Sequence, residues 1–236
     1  AGLEYRVPHA LGEGKPALAQ EYARVGAFLA VALALIWMAV AFGAMEFADS
    51  WGLPPDSIDQ AKKFQFPILL SLPSVMLFMV TRIILQATGR AQMVTFALVG
   101  ANVLNVLLNL ALVSGPFGWP RFGVVGSAWA TFFSRTFLLA LVALPALRAL
   151  GHPHSIARVS APELRRTAKN LLRVGTPVAG QMAMEVGFFS LSTFLAARLG
   201  SVEGAAHQIT LQVASTTFML PLGMSSAAAL MIARAL

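Results

Sequence analysis

The chain has 236 residues, of which 57% are hydrophobic and 11% charged, with a formal net charge of +7 and a mean hydropathy of +0.72. A soluble domain carries about 25% charged residues, so this chain has too few charges to cover a water-facing surface. Cysteine is absent, which excludes disulfides, thiol chemistry and cysteine-based metal sites, and the four scattered histidines lack metal-ligand spacing.

The elements are predicted in chain order as follows. Residues 1–15, AGLEYRVPHALGEGK, have no apolar core and form no signal peptide. A helix needs about 20 apolar residues to cross a bilayer. Six segments qualify: 25–48, 64–88, 93–114, 123–147, 174–199 and 205–233. They are too long and continuous for barrel strands, so the fold class is all-α, a polytopic membrane protein with six spans. Pro67, Pro73, Pro177 and Pro221 fall within or near the spans and mark possible kinks.

Basic residues orient the spans. Arg6, Lys15 and Arg24 precede the first span and Arg90 follows the second. The longest connection, 148–173, carries Arg148, Arg158, Arg165, Arg166, Lys169 and Arg173. These regions and the C-terminus are expected on the cytoplasmic side of the cell (inner) membrane. The connection divides the chain into 1–147, with four spans, and 174–236, with two. Within it, SAPELRRTAKNLLRVG reads as a short amphipathic helix, with Ser160 and Glu163 spaced as a capping box. The charges lie in short stretches, with no basic face on a soluble fold, so nucleic acid is not an expected partner; membrane lipids are.

The third span places Asn102, Asn105 and Asn109 on one stripe. Such a stripe serves either to coordinate a cation or to hydrogen-bond a neighbouring helix. Thr131 in the fourth span could face the same region. Arg135, one turn on, calls for a neutralising partner or for snorkelling.

Glu185 in the fifth span is the only acidic residue deep inside a long apolar segment. An ionisable group there costs about 2.5–3.5 kcal/mol at the helix centre, and burial disfavours the carboxylate. It either binds an ion, carries a proton or hydrogen-bonds a neighbouring helix. Gln181 and Ser192 lie along its side, with Phe188 and Phe189 adjoining. The sixth span repeats the pattern with Gln208, Gln212, Ser215 and Met219. Aromatic and methionine side chains beside a polar stripe suit a cavity for irregular apolar solutes, and equally suit ordinary packing. His207, at the start of this span, is expected to make a structural hydrogen bond.

Two stretches resemble the multidrug and toxic compound extrusion (MATE) transporters. RIILQATGR (82–90) followed by NVLNVLLNLALVSGPFGWPRFGVVGSAWAT (102–131) looks like the middle of that family's N-terminal lobe. Residues 175–229 are similar to its seventh and eighth helices, with G-x-P at Gly175, the mid-helix Glu185, A-A-H-Q-I from Ala205 and P-L-G from Pro221, in that order. The resemblance implies a twelve-helix, two-lobe transporter, of which this chain is expected to be an interior fragment covering helices three to eight. It would lack the remaining helices of the same polypeptide. It implies export of organic, often cationic, drugs and toxic compounds in exchange for Na⁺ or H⁺. Asn105, Asn109 and Thr131 match the N-lobe cation positions, and Glu185 matches the C-lobe acid, a candidate Na⁺ ligand. The substrate cavity would draw on Gln181, Phe188, Phe189, Gln208, Gln212 and Met219. No cofactor beyond the coupling ion and no enzymatic activity is expected, since no two catalytic groups converge. The alternatives are a lipid-linked oligosaccharide flippase of the same broad superfamily and a structural membrane protein.

Overall fold

In the computed structural model of the chain, residues 2–47, 55–115, 121–150 and 161–235 are described. They form eight helices: α1 (Gly2–Gly12), α2 (Pro16–Glu46), α3 (Pro55–Leu70), α4 (Leu72–Ala87), α5 (Ala91–Ser114), α6 (Gly123–Ala149), α7 (Ala161–Leu199) and α8 (Ser201–Ala235). No strand occurs among the described residues. Five helical stretches are long and apolar enough to cross a membrane by length and composition: Pro16–Glu46, Ile58–Ala87, Ala91–Ser114, Gly123–Ala149 and Arg165–Ala196. The span expected at 205–233 lies in α8, which is not one of the five; its first half carries Gln208, Thr210, Gln212, Ser215, Thr216 and Thr217, which lower its hydropathy.

The second expected span is two helices. The chain breaks at Ser71, where the Ser71 hydroxyl donates to the Ile68 carbonyl at 2.6 Å and Pro73 occupies the first turn of α4. Proline has no N–H and its ring disfavours the helical conformation before it. The break therefore falls just before Pro73, and Pro67 stays inside α3. At its other end α5 stops on Gly115, whose φ of 59° and ψ of 51° form a left-handed cap that a residue without Cβ adopts at no steric cost.

Two departures from the sequence reading lie at one end of the bundle. Residues 2–12 are helical, although no helix is expected before residue 25. Val7 and Ala10 of α1 pack with Ala19, Ile83 and Ala87 of α2 and α4. Tertiary packing makes this helix: its own apolar content is modest, and an isolated helix of 11 residues is marginal in water. Likewise the amphipathic helix expected at 160–175 is not separate. It runs without interruption into the fifth span as α7, 39 residues, or about 58 Å at 1.5 Å per residue. That is roughly twice the hydrocarbon thickness, so its basic N-terminal third projects beyond any membrane that the rest spans. Ser160 lies outside the described residues, and so does the side chain of Glu163.

α2 through α6 pack as one group, with α5 on α6, α4 on α6 and α2 on α4 as its main contacts, and α7 pairs with α8. The core of the first group contains Ala23, Phe78, Ile84, Leu85, Val94 and Val142. The two groups meet through α1 and the start of α2. Thr167 of α7 donates to the Glu21 carboxylate at 2.7 Å, and Arg82 lies 3.5 Å from Glu4. The Gln20 amide donates to the Leu150 carbonyl. Thus the basic segments 2–24, 82–90, 148–150 and 165–173 gather at one end.

Candidate functional site

Two polar constellations interrupt the apolar helices. The first is a groove of about 760 Å³ between α7 and α8. It is lined by Glu185, Val186, Phe189, Ser190, Thr193, Gln208, Leu211, Gln212, Ala214, Ser215, Phe218 and Met219. The α8 stripe Gln208, Gln212, Ser215 and Met219 enters it complete. On α7 the groove follows Glu185, Phe189 and Thr193, a row of residues four apart. Gln181, Phe188 and Ser192 are not among its lining residues; Phe188 instead meets Phe189 edge to face at 6.0 Å. The sequence reading followed the helix face by a seven-residue step to Ser192. The antiparallel partner instead picks the four-residue row, which explains why Ser190 and Thr193 were missed.

Several hydroxyls along these helices are bonded to their own helix. Thr193 donates to the Phe189 carbonyl at 2.9 Å and Thr216 to Gln212 at 2.8 Å. Among the described residues Glu185 makes no hydrogen bond or ion pair, and the Gln208 and Gln212 amides make no hydrogen bond. Among the described residues the groove therefore offers one carboxylate, two amides and the hydroxyls of Ser190 and Ser215 with open hydrogen-bonding capacity, set among Phe189, Phe218 and Met219. No cluster of three or more His, Asp or Glu side chains occurs among the described residues, so a metal ion here would have Glu185 as its one charged ligand. His207 does not make the expected bond: its Nε2 is enclosed without a partner among the described residues.

The second constellation is a pocket of about 280 Å³ between α5 and α6, lined by Leu98, Ala101, Asn102, Asn105, Thr131, Ser134, Arg135 and Leu138. It unites Asn105 with Thr131, as their helical positions suggest. Asn109 is not in its wall. Its Nδ2 donates to the Asn105 carbonyl at 2.9 Å and to Asn105 Oδ1 at 3.1 Å. Asn102 donates to Leu98 at 2.8 Å and Thr131 to Ser127 at 3.0 Å. Arg135 reaches across to the Ser71 break, its Nη1 donating to Ser71 Oγ at 2.8 Å. Sequence reasoning had no signal for that partner, because Ser71 lies 64 residues away.

Comparison with known proteins matches the MatE family model to residues 1–111 and 177–236. The probable multidrug resistance protein NorM of Pseudomonas putida is 36% identical over 91% of this chain and 46% of its own length. Its counterpart in Pseudomonas aeruginosa is 32% identical over 87% of this chain and 42% of its own length. That of Agrobacterium fabrum is 30% identical over 94% and 48%. The chain thus spans about half the length of the curated relatives it matches.

Proposed function

The chain belongs to the MatE family of integral membrane proteins, and on that premise we propose that it forms part of an antiporter that exports organic cations in exchange for Na⁺ or H⁺. The observation that carries the proposal is Glu185. It stands in the middle of a long apolar helix and opens into the α7–α8 groove beside Gln208, Gln212, Phe189 and Met219. Grooves of 300–1,000 Å³ with mostly apolar walls and a few polar groups suit drug-sized ligands. A lone carboxylate at membrane depth is costly unless neutralised. It therefore exchanges one cation for another, and release of a proton or Na⁺ favours entry of a cationic solute. The relatives' description as probable multidrug resistance proteins supports this reading.

In this proposal α2–α6 belong to one lobe and α7–α8 to the other, with 148–173 as the basic connection between them. Rocking of the lobes gives alternating access. The basic end faces the cytoplasm of the cell membrane, following the positive-inside rule. The coupling role rests on Glu185 and not on Asn105, Asn109 and Thr131, because Arg135 places a fixed positive charge beside Asn105 and Thr131.

The test uses the natural polypeptide that carries this chain, reconstituted in liposomes, with efflux of a fluorescent organic cation driven by a Na⁺ or proton gradient. Glu185→Gln keeps size and hydrogen bonding but removes the charge. It is expected to abolish gradient-driven efflux while leaving membrane insertion intact, and Glu185→Asp is expected to retain part of it. Undiminished coupled efflux by the Gln variant at normal protein level would refute the proposal.

A further inference from the structure

We infer that the groove over α4, between α2 and α6, is a binding site for one anionic phospholipid of the leaflet at the basic end. An acyl chain occupies the groove and the headgroup phosphate meets Arg24. α2 and α6 both pack on α4. Leu77, Val80, Thr81 and Ile84 share one face of α4 and form the floor. The walls carry Ala23 and Ala27 of α2 and Ala143 and Ala146 of α6. Side chains this short do not fill the gap, and a space of about 530 Å³ remains.

Length and charge identify the occupant. The groove runs along α6 from Leu150 to Leu139, about 16 Å at 1.5 Å per residue. That is half of a hydrocarbon core about 30 Å thick, the depth of one leaflet. Its inner end lies near the middle of α6 (Gly123–Ala149), and its outer end, at Arg24 and Leu150, lies among the basic segments. The other polar groups of the wall are engaged. The Gln20 amide donates to the Leu150 carbonyl, and the Thr81 hydroxyl donates to the Leu77 and Phe78 carbonyls. The Arg24 guanidinium is exposed and makes no hydrogen bond or ion pair among the described residues. Arg148, in the last turn of α6, adds a second cation at that end. An apolar slot one leaflet deep, with an open guanidinium at its interfacial mouth, matches an amphiphile with one anionic head. The arginine fork suits phosphate oxygens. A further helix of the polypeptide, about 10–12 Å across, displaces roughly 1,200 Å³ over the same length, more than twice the space. This inference does not depend on the role proposed for Glu185.

The experiment places the natural polypeptide that carries this chain in phosphatidylcholine nanodiscs with a trace of photoreactive lipid. The probe is phosphatidylglycerol with a diazirine midway along one acyl chain, and the control is the matched phosphatidylcholine. After illumination, peptide mass spectrometry locates the attached lipid, normalised to the total attached to the polypeptide. Peptides covering 77–84 and 139–150 should take the phosphatidylglycerol probe about fivefold more than the control, the worth of one arginine facing an anionic headgroup. Arg24→Gln should erase that preference and Arg24→Lys should keep most of it. Ala143→Phe, which fills the groove and leaves Arg24 in place, should remove groove labelling by both probes. Equal labelling by the two probes in the wild type would overturn the inference, as would a preference that survives Arg24→Gln. Absence of groove labelling would overturn it too, by showing that another segment of the polypeptide covers α4.

Discussion

Three glycine-to-alanine substitutions separate close helix packing from helix propensity, because their surroundings differ and their chemistry does not. At Gly126 an added Cβ would lie 2.6 Å from the Leu112 carbonyl oxygen and 2.9 Å from its carbon, about 0.8 Å short of ordinary contact with a backbone that cannot rotate away. α6 must shift from α5. Overpacking of this kind costs about 1–3 kcal/mol. The same carbonyl accepts from the Phe122 N–H at 3.0 Å, a bond worth about 0.5–1.5 kcal/mol. Alanine returns about 1 kcal/mol in helix propensity, so a net loss of about 1–3 kcal/mol is expected. At Gly26 the Cβ meets the Leu3 side chain, its nearest atom at 2.5 Å. A flexible side-chain tip turns away for about 0.5–1.5 kcal/mol, and the propensity gain nearly cancels it. At Gly43 nothing lies within 4 Å, and alanine is expected to gain up to about 1 kcal/mol. Denaturant-titrated unfolding in mixed micelles reads all three. If Gly126→Ala proves as stable as Gly43→Ala, the close approach of α5 and α6 is wrong, and with it the pocket that they enclose.

Two further outcomes test the basic end. Thr167 is buried, 8% exposed, and donates to Glu21. Thr167→Val should therefore cost about 1–2 kcal/mol and raise hydrogen exchange in 165–175 and 16–24 together; unchanged protection there would show that α7 does not dock on α2. Lys15, hydrogen-bonded to Glu13 at 2.9 Å, holds the Glu13 carboxyl below the usual carboxylate range. A lowered folded value means that this contribution is complete above the free carboxylate range and is lost as pH falls through the folded value. Lys15→Ala should move the Glu13 titration upward in a carboxyl-carbon NMR titration, and an unmoved titration would remove the pairing.

Much of the fold was legible because a bilayer constrains local sequence strongly: apolar length alone marks a span, and basic residues gather at one end. The same local logic found the α8 stripe of the groove, since Gln208, Gln212, Ser215 and Met219 share a face by helical periodicity. It also linked Asn105 with Thr131. The α7–α8 groove leaves Ser192, Gln181 and Phe188 out of its wall, because several faces of one helix fit a polar stripe and the neighbour chooses between them. Local logic gave no helix at α1, whose short and weakly apolar sequence becomes one by packing on α2 and α4.

By itself, then, the sequence determined the all-helical membrane class, the positions of five of the six expected spans and the rarity of Glu185. These follow from composition and periodicity, which are properties of contiguous residues. The tertiary structure alone decided what is set by contacts between residues distant along the chain. It joined Arg135 to Ser71, turned Asn109 onto Asn105, docked Thr167 on Glu21 and gave α7 the row that faces α8. Helix packing sets which of several equivalent faces meet, and that choice turned two polar stripes into a groove holding a carboxylate unpaired among the described residues and a pocket whose guanidinium bonds a neutral hydroxyl.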